Sequence, residues 1–202
     1  MTDIDKTHSY PPTQNEMPDL SALDNKLTLN RTLNGWFRQA GLEDHQAKAL
    51  WINYIRLVDQ LVWEYNVARQ SLQKYVDKPN DLISLYRCTA HMETCINTIR
   101  RAILFARRMR KHRNSPNIYK LTILSDSEGK RLIDMRNAIE HLEGYIREGK
   151  IVEGQPFFLL MQNDRVELLG EEIYYSELAN WIKQLHTLAN ELADYRSSDS
   201  IT

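Results

Sequence analysis

The sequence has little glycine and little proline, and this scarcity bears on the fold class. Its 202 residues include 7 Gly and 6 Pro, and three of the prolines, Pro11, Pro12 and Pro18, lie close to the N-terminus. An all-β fold would need turn residues throughout the chain, so the distribution argues against one and leaves room for long uninterrupted helices. A hydrophobic fraction of 42% is enough for a packed core.

The chain also has few cysteines and lacks a long apolar run. Cys88 and Cys95 are the only cysteines, and their helical spacing separates them by about 10 Å along a helix axis, too far for a disulfide. They are expected to be buried thiols in a reducing compartment. The sequence shows neither a run of about 18 apolar residues nor a secretory leader. These absences predict a cytoplasmic protein with no membrane partner.

Common enzyme signatures are absent from the sequence. It contains no glycine-rich phosphate loop, no Gly-x-Ser-x-Gly, no His-Glu-x-x-His and no Cys-x-x-Cys. His91 lies between Cys88 and Cys95 and could form the corner of a metal site, but a structural zinc needs four ligands and no second cluster is evident. Packing of these side chains is the simpler interpretation, and we expect neither a metal nor a cofactor.

Apolar residues recur at helical spacing over most of the chain. The pattern predicts a mainly all-α fold, a bundle of four to five long helices with a small β-hairpin inserted before the last helix. The hairpin is expected around Asn163 and Asp164, which separate two apolar segments. The predicted helices cover 21–40, 44–77, 81–114, 125–149 and the stretch from Ser176 onward, and Trp51, Trp63 and Trp181 in them are expected to lie in the core.

The two ends of the chain differ from this pattern. Residues 1–20 are polar and interrupted by proline, so they are expected to form a disordered or loosely attached arm. Residues 21–196 are predicted to form one helical domain, and 197–202 a flexible tail.

Charge is unevenly distributed, although the net charge is only −1. One predicted helix carries a basic run with no acidic residue in it, which indicates a phosphate-bearing partner such as RNA. The alternative is a solvated helix end, since cations are favoured near a helix C-terminus. The acidic residues concentrate towards the C-terminus. The basic residues expected to bind RNA are Arg100, Arg101, Arg107, Arg108 and Lys111.

The segment from Arg136 to His141 carries the residues best suited to chemistry. Asn137, His141 and Tyr145 are spaced by four and share one helix face, opposite the apolar stripe, with Arg136 on the flank. A histidine can move protons near neutral pH and an arginine can offset charge on a phosphate. A solvated helix face that happens to contain a histidine is the alternative.

Arg136-Asn137-Ala138-Ile139-Glu140-His141 resembles the signature of the HEPN superfamily, an arginine, four to six further residues and then a histidine, with a polar residue directly after the arginine. The resemblance implies a helical bundle that forms a homodimer, with the two motifs meeting in a cleft, and in active members a metal-independent endoribonuclease. It assigns His141 as the acid/base group, Arg136 as the phosphate-contacting charge and Asn137 as the supporting polar residue. Tyr145 is expected to contact RNA beside them.

These features predict an HEPN-like homodimer that binds or cleaves RNA, within a bacterial toxin or defence system, where an antitoxin or another protein would be a further partner. The alternative is a non-catalytic helical module for protein interaction. The acidic C-terminal part supports that alternative, because it would repel nucleic acid.

Overall fold

Helices make up most of the structure, a computed structural model that describes residues 11–23, 44–112, 124–151 and 157–194. In these ranges the elements are a 3-10 turn (Ser21–Leu23), α1 (His45–Asp77), α2 (Leu82–Lys111), α3 (Asp126–Glu140), α4 (Leu142–Arg147), β1 (Leu160–Met161), β2 (Arg165–Leu168), β3 (Glu171–Tyr174) and α5 (Tyr175–Asp194). The predicted mainly helical fold, with a small β element before the last helix, is confirmed. None of the described helices is long and apolar enough to cross a membrane.

The two longest helices, α1 and α2, pack along each other and supply much of the core. Asp44 begins α1 by accepting hydrogen bonds from two backbone N–H groups of the first turn, each at 2.9 Å. Asp81 begins α2 by accepting from Ser84 N–H at 3.2 Å. Between the helices, Pro79 cannot continue α1 because its ring excludes the helical hydrogen bond. The short connection brings the buried faces of the two helices together.

The tryptophans divide between core and surface. Trp51 and Trp181 are buried, as predicted, but Trp63 is 51% exposed, so its predicted place in the core is wrong. Its ring meets that of His91 edge-on, with the ring centroids 5.4 Å apart. The apolar arc of α1 is wider than the surface that neighbouring elements cover, and Trp63 lies at the uncovered edge.

The predicted helix over 125–149 is divided in two at His141. Ser125 and Glu128 form a capping box at its start. At His141 the backbone has φ −106° and ψ 10°, which ends α3, and α4 follows at once. The core covers only the first part of the apolar heptad, because Leu132 is buried whereas Ile146 is 56% exposed.

A three-stranded antiparallel sheet takes the place of the predicted hairpin. The first hairpin pairs β1 with β2 and turns around Asn163 and Asp164, as expected. A second turn, at Leu169 and Gly170, adds β3. Both turn residues have positive φ, 53° and 83°, as two-residue type I′ turns require. Leucine seldom adopts that conformation, so Leu169 does not indicate a turn in the sequence.

Residues 11–20 are attached to the core, which corrects the predicted loose arm for this part of the chain. Met17 and Leu20 are 2% and 1% exposed. Arg69 of α1 holds the segment by donating from Nε to the Met17 carbonyl at 2.9 Å, and Asn15 donates to the Arg69 carbonyl at 3.1 Å. Met17 and Leu20 form no periodic apolar pattern, so their burial could not be predicted from the sequence.

The same N-terminal segment is joined to the first hairpin. The Asn163 side-chain oxygen accepts hydrogen bonds from the N–H groups of Thr13 and Gln14, at 2.9 and 3.1 Å. The Asn163 carbonyl accepts a third from Glu16 N–H at 3.0 Å. Residues 1–10 of the predicted arm, most of the predicted helix over 21–40 and the predicted tail at 197–202 lie outside the described residues.

Candidate functional site

The structure places the motif residues around the end of α3. Leu132 and Met135 bury one side of this helix against the core. Arg136 and Asn137 lie on its partly exposed flank, and His141 is exposed at the break after it. The motif therefore lies at the surface of the protomer, where a ligand or a second protomer can reach it.

Arg136 and Asn137 are in contact. The Arg136 guanidinium donates from Nη1 to Asn137 Oδ1 at 3.2 Å, and it forms an ion pair with Glu140 one turn along the helix. The Arg136 side chain is about one-third exposed. Its pair with Glu140 therefore contributes only about 0.3 to 0.5 kcal/mol to the stability of the fold, as such helical pairs do. A phosphate could displace that carboxylate at little cost.

His141 is close to the other two residues only through the backbone. Its N–H donates to the Asn137 carbonyl at 2.9 Å, and its carbonyl accepts from Tyr145 N–H at 3.1 Å. The predicted face of three residues spaced by four is thus preserved across the break. Within the described ranges, no side chain hydrogen-bonds the imidazole. In this part of the chain, no side chain therefore orients the histidine.

Tyr145 lies beside a cation. Lys150 Nζ is 5.7 Å from the centre of the Tyr145 ring, within the range of a cation–π contact. A tyrosine ring and an ammonium group at a helix end are suitable for a base and a phosphate, and the RNA contact of Tyr145 stays a prediction.

The basic run on α2 adjoins Arg136. The pKa of Arg100 is lowered, first by partial burial and then by repulsion from Arg107 and Arg136. Three guanidinium groups, from two helices, therefore share one surface. Spacing along α2 places Lys111 on the same face, whereas Arg101 and Arg108 lie about a quarter turn away. The predicted RNA-binding set divides between two neighbouring faces.

Glu93 and Asn97 lie on the same face of α2 as Arg100 and are not among the residues predicted from the sequence. All three side chains are partly buried. In the sequence, the three residues are related only by their spacing of four and three residues. The same spacing occurs on the flank of any amphipathic helix. Their partial burial is seen only in the packed structure.

The cysteines and His91 are structural in the arrangement seen. Cys88 and Cys95 are buried free thiols, and burial raises the pKa of both. His91 contacts Glu64 instead, with Nδ1 2.7 Å from Oε2. Among the residues the structure describes, no three His, Cys, Asp or Glu side chains are grouped as a metal ion would need.

No protein-family model, curated protein or solved structure matches the chain.

Proposed function

We propose that the protein is an HEPN-like homodimer that binds RNA on the surface shared by α2 and α3. The observation that supports this most directly is the cluster of Arg100, Arg107 and Arg136. The basic run borders the arginine of the motif, as an RNA-binding surface at the motif requires. This surface accounts for RNA binding alone. Cleavage of the RNA would be a further step that depends on His141.

The energetics of the cluster favour an anionic ligand. Partial burial of Arg100, and then repulsion from Arg107 and Arg136, disfavour its charged form, and the lowered pKa of Arg100 reflects both. Glu140 is the carboxylate paired with Arg136, so the cluster retains excess positive charge. Phosphates would compensate it and release counterions from the nucleic acid. Arginine is also the side chain that binds phosphate oxygens in bidentate geometry.

Cleavage, where it occurs, is expected to need two protomers. Among the described residues of one chain, no side chain orients His141, and the HEPN resemblance implies that two motifs meet across a two-fold axis. In RNA cleavage the 2′-hydroxyl attacks the adjacent phosphorus and the 5′-oxygen leaves. His141 would accept the hydroxyl proton or protonate the leaving oxygen, while Arg136 offsets the phosphate charge. A bacterial toxin or defence system, with an antitoxin as partner, is the setting that this proposal favours.

We expect Arg107→Ala and Arg136→Gln to weaken RNA binding by about tenfold each, the magnitude of a lost charge-assisted hydrogen bond. Each should also reduce the slope of log affinity against log salt by about 0.7, the value for one phosphate on a single strand. Fluorescence anisotropy with a labelled single-stranded RNA at several salt concentrations measures both. Arg56→Ala, at an exposed site on α1, is the control. Equal affinities for all four proteins would contradict the proposed surface.

The chain is expected to be a two-fold dimer in solution. On the face with Asn137, His141 and Tyr145, the histidine is exposed and the other two side chains are partly exposed, and Ile146 beside it is an exposed apolar side chain. Such a face fits an isologous contact. Light scattering at tens of micromolar protein measures the mass directly. A monomer there would remove the composite site, and with it the proposal for catalysis.

The competing proposal is a non-catalytic module for protein interaction. It is favoured by three apolar side chains at the start of α2, Leu82, Ile83 and Tyr86, each more than half exposed. The same RNA titration separates the two proposals, since an interaction module has no reason to depend on Arg107 and Arg136. A helical protein partner would then be expected to cover the start of α2.

A further inference from the structure

Trp63 is an exposed tryptophan whose ring is supported from one side. The residue is 51% exposed on the outer side of α1. Its ring meets the His91 ring edge-on, with the ring centroids 5.4 Å apart. His91 Nδ1 in turn lies 2.7 Å from Oε2 of Glu64, a residue that is only 6% exposed. The buried carboxylate of α1 therefore fixes the imidazole of α2, and the imidazole supports the indole.

This arrangement leaves the indole available to a ligand. An edge-on contact between two rings covers at most one face of either ring, so His91 leaves one face of the Trp63 indole uncovered. Because the contact already restricts the ring, a ligand that packs on it loses less conformational freedom than it would on a freely rotating side chain. The uncovered face is suited to a planar group that stacks on it.

The charged side chains that α2 presents near Trp63 are cations. Arg87 is exposed and precedes His91 by one turn, so the two side chains are neighbours on the helix surface. Spacing places Arg101 and Arg108, both exposed, on the same side of α2 as Arg87. This exposed side of α2 therefore leads from Trp63 to the basic run, and through it to the arginine cluster proposed to bind RNA.

Acidic side chains contribute less to this surface. Glu93 is the only acidic residue of α2, and it lies nearly half a turn round the helix from His91. Asp59 precedes Trp63 by one turn of α1, but it is partly buried and has its own interaction within the protein. The surface thus combines an indole with guanidinium groups. Grooves for single-stranded nucleic acid have this composition, with cations along the backbone and aromatic rings on which bases stack.

We propose that Trp63 is a stacking platform for one base of a single-stranded RNA, with Arg87 binding a phosphate next to that base. This inference rests on the proposed RNA-binding function and extends its surface round α2. Arg100 and His91 are about 14 Å apart along the axis by helix rise, a distance that a few nucleotides of an extended strand span. Arg101 lies between them round the helix and binds a phosphate on the way. Stacking accepts any base, because every base has a flat face.

The test is fluorescence anisotropy with oligouridine and oligoadenosine probes of about 12 nucleotides, within the usual size of single-strand sites, at several salt concentrations. We expect Trp63→Ala to weaken the binding of both probes about tenfold, within the range for one stacked base. The slope of log affinity against log salt should not change, because stacking neutralises no phosphate. Arg87→Ala, by contrast, should reduce that slope by about 0.7, the value for one phosphate on a single strand.

Trp63→Phe keeps a flat ring and should retain most of the affinity. A base stacked on an indole quenches its emission, so RNA should quench the tryptophan fluorescence of the wild type and quench that of Trp63→Phe much less. Phe157→Ala is the matched control, since Phe157 is 63% exposed and lies outside α1 and α2, and it should bind RNA as the wild type does. Thermal melting verifies that each variant is folded.

The outcomes separate the stacking platform from the proposed function. If the wild type binds the probes and Trp63→Ala loses no more affinity than Phe157→Ala, the platform is wrong while RNA binding stands, and the exposed indole is left to a protein partner. If Trp63→Phe loses as much affinity as Trp63→Ala, the RNA does not stack on an aromatic ring there, and the platform is wrong again. If the wild type binds neither probe, the proposed RNA function fails, and the platform fails with it.

Discussion

His141→Ala should abolish ribonuclease activity while leaving the stability of the protein nearly unchanged. The side chain is exposed at the end of α3 and, within the described part of the chain, makes no hydrogen bond, so its removal costs the fold little. Loss of a general acid/base group reduces a rate by about 10² to 10⁴. The measurement is cleavage of labelled single-stranded RNA in the presence of a chelator, because the proposed chemistry uses no metal. Thermal melting of the same samples reports stability.

The control for this prediction is a core substitution in the same helix. Leu132 is 1% exposed, and Leu132→Ala should cost about 2 to 5 kcal/mol of unfolding free energy. It should lower activity only as far as it unfolds the protein. Ile139, the neighbouring member of the apolar stripe, is only partly buried and would be a poorer control. If His141→Ala retains full activity, or if activity requires added magnesium, the proposed catalytic residues are wrong.

Trp181→Ala should be among the most destabilising single substitutions in the described core. The ring is fully buried between α5 and its neighbours, and truncation of such a side chain costs about 3 to 5 kcal/mol. Trp181 Nε1 also donates to Glu128 Oε1 at 3.0 Å, and Glu128 belongs to the capping box that begins α3. Urea denaturation measures the loss of unfolding free energy.

Two further tryptophan variants separate packing from the hydrogen bond. Trp181→Phe keeps most of the ring and removes the N–H donor, so it should cost less than Trp181→Ala and loosen the start of α3. Trp63→Ala removes a ring that is about half exposed, and about 1 kcal/mol is expected from the loss of its edge-on contact with His91. Equal losses for Trp181→Ala and Trp63→Ala would show that burial does not determine the effect.

The fold could largely be predicted from the sequence because its helices are long and strongly periodic. The capping residues Asp44, Asp81 and Ser125 also mark helix starts by their chemistry. What could not be predicted depends on tertiary contacts. Met17 and Leu20 enter the core through a segment with no period, and the turn at Leu169 uses a backbone conformation unusual for leucine.

The candidate site was predicted in part. The motif spacing placed Asn137, His141 and Tyr145 on one face, and the structure retains that face. The approach of Arg100 to Arg136 depends on how α3 packs against α2, and residues far apart in sequence carry no local signal of such packing. The buried side-chain oxygen of Asn97, which has no hydrogen-bond partner among the described residues, is likewise a property of the packed structure alone.

The attachment of the N-terminal segment to Asn163 has a consequence for the order in which the protein folds during synthesis. These hydrogen bonds span 149 and 150 residues of sequence, so about four-fifths of the chain must be made before they can form, given that proteins are synthesised from the N-terminus. The contacts between α1 and α2 join residues that are closer together in the sequence, so this helical hairpin can form far earlier. The contacts of the same segment with Asn66 and Arg69 of α1 span only 46 to 54 residues, so they can form much earlier. The N-terminal segment is therefore fixed in two stages, first against α1 and only late in synthesis to the first hairpin.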